Sequence, residues 1–300
     1  MSAGATVLTK ADSNLRLRLA DYFSLTKPRV AVLILFTVAA GAWLGARGAP
    51  NPTIIFHALL GTALVVAGAS ALNQVLERGS DSLMSRTENR PLATGRLSPV
   101  EGWAFGFMLA IGGLTYFGLT LHHVLPMIVA GFALVSYVFV YTPLKKRTSL
   151  NTLVGAVPGA LPPVIGWTAV TGSFDPEAAA LFLIVFLWQV PHFLAIARIY
   201  RDEYARAGMR MLPVVDRQGD MTSRQMVCYC LALIPASVMP FLLGQAGVGY
   251  LIAAGLLGFG FLGFAVGFMR NRSVNQARLM LKASLIYLPA LLALLLVNGM

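Results

Sequence analysis

Apolar positions along this chain gather into long uninterrupted runs separated by short charged loops. They follow neither the alternation of a half-buried strand nor the one-sided stripe of a soluble helix. A helix needs roughly 20 apolar residues to cross the ~30 Å hydrocarbon layer of a bilayer. About nine runs meet that length, over residues 30–46, 53–73, 102–121, 124–142, 152–171, 177–197, 226–244, 247–269 and 279–298. The pattern predicts an all-α, polytopic membrane bundle. No connection is long enough for a soluble domain, so residues 1–300 are expected to form one membrane-embedded domain.

Pro143, Pro158, Pro162, Pro163 and Pro191 sit in or beside runs. Their missing N–H groups must be compensated by neighbouring groups or water, which predicts kinked helices around a central cavity. Gly155 and Gly159 form a small-xxx-small pair, the spacing of close helix packing.

Composition agrees with the pattern: 57% of residues are hydrophobic and 12% charged, against about 25% charged in soluble domains, and mean hydropathy is +0.72. The charges add orientation. With nine spans, all but one of the 23 Lys and Arg fall on alternate connections, and only Arg47 opposes them. Cytoplasmic loops collect basic residues, so the N-terminus is expected in the cytoplasm, the C-terminus opposite, and the cavity opening to the cytoplasmic side of a bacterial inner membrane. The net charge of +11 is thereby accounted for without nucleic-acid binding.

All but two of the 12 acids, Asp175 and Glu177, lie on that same side, which topology does not require. The first 25 residues lack a signal-peptide core, and Asp12 and Asp21 argue against a transit peptide. Leu15, Leu17, Leu19, Tyr22 and Phe23 predict a short amphipathic helix on the membrane surface within a cytoplasmic arm, residues 1–25. Cys228 and Cys230 are too close for an ordinary helical disulfide and are expected to be buried and inert, and no Cys-His spacing suggests zinc.

The chemistry concentrates after the second run. Asn73, Glu77 and Asp81 recur every four residues, which on a helix gives one face of oxygen ligands spanning roughly 12 Å. Arginines follow at once, and a second acid- and arginine-rich stretch leaves the sixth run on the same side. Two such loops on one end of a bundle can converge. Mg²⁺ commonly joins one or two carboxylates to substrate phosphates, and arginine forks bind the remaining phosphate oxygens. A diphosphate on a lipid tail suits a polar mouth with apolar walls.

Asn73-xxx-Glu77-xxx-Asp81 followed by Met84-Ser-Arg86-Thr87-Glu-Asn89-Arg90-Pro91-Leu92 resembles the first signature of the UbiA-type intramembrane prenyltransferases, and most closely that of their haem-farnesylating branch. Further segments resemble the same branch: Leu25-Thr26-Lys27-Pro28-Arg29-Val30, Tyr141-Thr142-Pro143-Leu144-Lys145-Lys146-Arg147, Trp188-Gln189-Val190-Pro191-His192-Phe193, and the stretch from Glu203 to Val214. The resemblance covers roughly residues 24 to 220. The middle acid of the first signature is usually Asp and is Glu77 here. The second Asp-rich motif of the wider superfamily is reduced to Asp202 and Glu203.

The resemblance implies transfer of a farnesyl group from farnesyl diphosphate to a vinyl group of haem b, with addition of water, giving haem O and diphosphate. It implies Mg²⁺ as cofactor, with Asn73, Glu77 and Asp81 as metal and catalytic ligands and a second metal ligand in Asp202 or Glu203. Alignment favours Glu203, and helix periodicity from Arg198 favours Asp202. Arg86, Asn89, Arg90, Tyr141, Lys145 and Arg147 are expected around the diphosphate. Lys27 and Arg29 fit either the diphosphate or a haem propionate. His192 is either a porphyrin or iron contact or a hydrogen-bonded core residue. A downstream haem A synthase or oxidase assembly factors are the implied protein partners. Two rival readings stand beside this one: the same fold acting on an aromatic acceptor of a quinone pathway, and a secondary transporter. Carriers hold ionisable groups near the bilayer midplane, whereas here only His192 lies that deep.

Overall fold

The structure is a computed structural model that describes residues 15–48 and 51–298. Predictions that fall on Lys10 and Asp12 therefore lie outside the described residues. Among these, nine helices are long and apolar enough to cross a membrane: α1 (Pro28–Gly45), α2 (Pro52–Asp81), α3 (Pro99–Thr120), α4 (Leu125–Leu144), α5 (Asn151–Thr171), α6 (Pro176–Ile199), α7 (Asp220–Leu242), α8 (Val248–Arg270) and α9 (Val274–Asn298). The hydropathy pattern locates all nine, and the helix ends explain where it falls short. α2 runs eight residues past its apolar run, and α7 begins six residues before its run. The start of α7 is fixed by Asp216, whose carboxylate accepts hydrogen bonds from the Gly219 and Thr222 N–H groups and the Thr222 hydroxyl. A polar first turn capped in this way needs no apolar run.

The helices pack mainly with near neighbours in sequence: α2 against α3 and α1, α7 against α8 and α6, and α9 against α8 and α6. The second half of α5 crosses α1. Gly41 and Gly166 make that crossing possible, because a Cβ on either would overlap a carbonyl of the opposite helix, Pro163 O or Val38 O. The proline expectation holds in two places. α5 breaks at Ala160 and Leu161 between Pro158 and Pro162, and α4 carries a π-helical segment, Ser136–Tyr141, immediately before Thr142 and Pro143. Pro191, by contrast, lies within the unbroken α6. Gly155 packs on the Tyr141 ring of α4, and Gly159 faces Gln189 of α6, so the pair serves two different contacts.

Residues 15–25 are helical, with Leu15, Leu17, Leu19 and Phe23 exposed. Polar contacts dock this arm on α3 and the loop before it: Arg18 and Tyr22 donate to Glu101 of α3, and Arg96 of the loop pairs with Asp21. Glu101 also closes a capping box with Ser98 at the start of α3. The expectation of two buried thiols is corrected at one position. Both cysteines are free, but Cys230 is buried whereas Cys228, two residues away on another face of α7, is exposed.

Candidate active site

The start of α1, the C-terminal ends of α2, α4 and α6, and the loops after them meet at one end of the bundle. α2 brings Asn73, Glu77 and Asp81 there on one buried face, at 1%, 7% and 1% exposure. Three carboxylate or amide side chains so thoroughly removed from water require partners, and each has a basic one. Lys27 Nζ donates to Asn73 Oδ1 at 3.0 Å. Lys145 Nζ lies 2.7 Å from Glu77 Oε1, a close ion pair. Arg90 Nη1 donates to both oxygens of Asp81 at 2.8 Å. This cation layer over the acid ladder explains why α2 stays helical eight residues beyond its apolar stretch.

Two of the lysines are held by local structure that the sequence does not advertise. Lys27 is a non-glycine residue in the left-handed region, with φ of 49°, a conformation that costs on the order of 1 kcal/mol or more. The neighbouring Leu25 carbonyl is fixed by Gln74 Nε2 at 2.9 Å, anchoring the turn to α2. Burial, and then Arg90 nearby, pushes the Lys27 ammonium down to about 7. Lys145 follows the π-helical segment and lies 4.6 Å from the centre of the Tyr141 ring. Burial works against its charge, yet Glu77 and then Tyr141 hold it well above the ordinary lysine value. Tyr141 is in turn placed by Gly155, where a Cβ would lie 2.5 to 2.9 Å from the ring. A cavity of about 160 Å³ opens beside Glu77, Thr142 and Lys145.

The second acidic loop does converge on the first. Ser85 Oγ donates to Glu203 Oε1 at 2.9 Å, Arg86 donates to the Tyr204 hydroxyl at 3.4 Å and lies over the Tyr200 ring, and Met84 packs among Ala197, Ala207, Met209 and Met211. The two candidates after α6 separate here. Glu203 is half-buried against the first loop, with Oε2 buried and without a hydrogen-bond partner, whereas Asp202 is exposed. The periodicity argument for Asp202 fails because α6 ends at Ile199 and a separate short helix, Arg201–Arg206, starts after Tyr200 leaves helical geometry.

Other predicted residues are not gathered in. Arg29, Asn89 and Arg147 are exposed, and the Asn89 and Arg147 carbonyls accept from the Arg96 and Arg210 side chains. His192 is half-buried on α6, where Nδ1 pairs with Ser284 Oγ of α9 at 2.8 Å and the ring stacks on Trp188. It lies with the apolar core of α6 and α9 rather than in the lysine and arginine layer. Gln74 and Thr142 were missed as site residues. Each is a neutral side chain at the end of an apolar run, and the one available signal was its place within a signature segment.

The oxygen-only donor set of Asn73, Glu77, Asp81 and Glu203 suits a hard divalent cation, and Glu203 Oε2 is buried with no hydrogen-bond partner. Among the described residues, no three His, Cys, Asp or Glu side chains form a ready-made metal cage.

Residues 34–287 match the UbiA prenyltransferase family. The chain belongs to that family. A Myxococcus xanthus relative named protoheme IX farnesyltransferase is 49% identical over 279 residues, covering 92% of this chain and 93% of the relative. One of the same name from Solibacter usitatus is 44% identical over 287 residues, covering 93% and 98%. Among solved structures, that of a digeranylgeranylglyceryl phosphate synthase superposes with a TM-score of 0.79 at 16% identity, over 93% of this chain and 98% of the other. That of an Archaeoglobus fulgidus UbiA homologue bound to GPP and Mg²⁺ superposes with a TM-score of 0.61 at 17% identity, over 92% and 99%. The UbiA fold accounts for the nine-helix bundle, and the ladder of α2 lies within the matched range together with Arg90 and Lys145, whereas Lys27 precedes it.

Proposed function

We propose that this UbiA member transfers the farnesyl group of farnesyl diphosphate to a vinyl group of haem b, with water addition, in a single domain of the bacterial inner membrane whose N-terminus is cytoplasmic. The observation that carries the reading is the acid ladder of α2 paired residue by residue with Lys27, Lys145 and Arg90. Acids and bases in near balance can open toward an entering diphosphate: each cation has a carboxylate or amide to leave and a phosphate oxygen to gain.

Asn73, Glu77 and Asp81, with Glu203 at a second site, would hold Mg²⁺, which when bound would neutralise charge on the leaving diphosphate. The chain's own groups do the rest. Lys145, Arg90 and Arg86 stabilise the charge that builds on the bridging oxygen as the allylic C–O bond breaks. Lys27 takes the same role or a haem propionate. The Tyr141 ring, beside Lys145, would shield the allylic cation. The vinyl π electrons form the new C–C bond, water captures the resulting porphyrin-side cation, and a proton leaves to solvent. No side-chain nucleophile is required, so positioning and electrostatics carry the catalysis. Haem is a substrate here. The relatives' shared name and their 44 to 49% identity over nearly the whole chain favour haem over an aromatic acceptor.

The test is the porphyrin mass after incubating detergent-solubilised protein with haem b, farnesyl diphosphate and Mg²⁺. The expected result is a gain of farnesyl plus water that EDTA abolishes. Farnesylation of a hydroxybenzoate with no new haem would overturn the acceptor. Separately, Glu203→Ala is expected to raise the Mg²⁺ needed for half-maximal rate about tenfold or more, while Asp202→Ala stays near wild type. Equal behaviour of the two would remove the second-metal assignment.

A further inference from the structure

The π-helical segment of α4 ends at a residue to which the resemblance assigns no role. Thr142 is buried, 5% exposed, and its hydroxyl sits between two helices. The hydroxyl O–H donates to Tyr137 O at 2.9 Å, and the Thr142 backbone N–H donates to the same carbonyl. A hydroxyl has one proton. With that proton given to Tyr137, the Thr142 oxygen can only accept, and the group it accepts from is Asn73 Nδ2 at 3.0 Å. On the other side of the same amide, the Lys27 side chain in its ammonium form has only protons to offer, and it occupies Oδ1. Both neighbours therefore demand one orientation of the Asn73 amide, with nitrogen toward α4 and oxygen toward the lysine and the acid ladder.

We infer that Thr142 is a positioning residue of the prenyl-transfer site: its hydroxyl, committed to the Tyr137 carbonyl by the π-helical turn, locks the Asn73 amide so that Oδ1 is presented to the cation. The inference rests on the reading of Asn73 as a metal ligand. A flipped amide would present N–H groups to the cation and to Lys27, repelling both. The π turn is what makes the lock possible. In an ordinary α-helix the Thr142 N–H would bond Val138 rather than Tyr137, and the residue would sit at a different rotation relative to α2. Pro143, which has no N–H to continue the ladder, ends the irregularity at Thr142.

The test measures binding of inorganic diphosphate to the full chain in detergent by calorimetry, with Mg²⁺ and with EDTA. Thr142→Val keeps the shape and removes the hydroxyl. It is expected to weaken the Mg²⁺-dependent binding about tenfold, the worth of one ordinary hydrogen bond, and to leave metal-free binding to the lysine and arginine layer unchanged. Thr142→Ser should restore the Mg²⁺ effect, and Thr142→Ala serves as the second hydroxyl-free variant where the valine form does not fold. Equal weakening with and without Mg²⁺, or no weakening in either hydroxyl-free variant, would overturn the positioning role. Asn73→Ala separates the two readings. Wild-type Mg²⁺ dependence in that variant removes the metal role of Asn73 and this inference with it, whereas loss in Asn73→Ala without loss in Thr142→Val removes the inference alone.

Discussion

Asp81→Ala is expected to reduce farnesyl transfer about 10³-fold or more in kcat/KM, the scale of losing one preorganised electrostatic contact. Asp81 is the most enclosed carboxylate of the ladder, with its side chain 2% exposed and both oxygens held by Arg90 at 2.8 Å. The substitution removes a cation ligand and also releases Arg90 close to Lys27, so two like charges lose the anion that separates them. Asp81→Asn keeps the shape and one acceptor oxygen but not the charge, and is expected to fall nearly as far. Initial rates read by porphyrin mass, beside a detergent melting curve, check this. A variant that folds and retains transfer within tenfold of wild type would exclude Asp81 from the metal site.

The parts of this molecule that hydropathy and charge could reach are those where the signal is local. All nine membrane helices were legible because lipid selects composition over about 20 residues at a time. The convergence of the two acidic loops was legible because an even number of spans separates them, and the Ser85–Glu203 bond bears it out. What could not be read depends on contacts distant in sequence. Asn73 meets Thr142 across 69 residues, and Gln74 reaches Leu25 across 49. Neutral polar side chains in apolar runs carry no sign of such partners. Helix ends were misplaced for the same reason: hydropathy stops α2 near residue 73, but its last two turns are neutralised by cations from three other segments. The choice between Asp202 and Glu203 was undecidable by periodicity because the period itself is broken at Tyr200.

Lys145→Met is expected to separate the structural from the chemical role of the same ion pair. The Lys145 and Glu77 side chains are 14% and 9% exposed and 2.7 Å apart. Removing one member of a buried pair leaves an uncompensated charge, a loss of about 3 to 5 kcal/mol. The single variant is therefore expected to melt markedly lower in detergent and to be inactive. Glu77→Gln combined with Lys145→Met removes both charges at similar volume, and its melting temperature is expected to return close to wild type, since well-packed neutral replacements of buried pairs are often neutral in stability. Transfer should not return. The diphosphate would still lack a cation that Glu77 and Tyr141 hold charged well above the ordinary lysine range, and the expected deficit stays at about 10²-fold or more. Recovery of transfer in the double variant would mean that the pair serves only to hold α2 against α4, and that the diphosphate is neutralised by Arg90 and Arg86 without it.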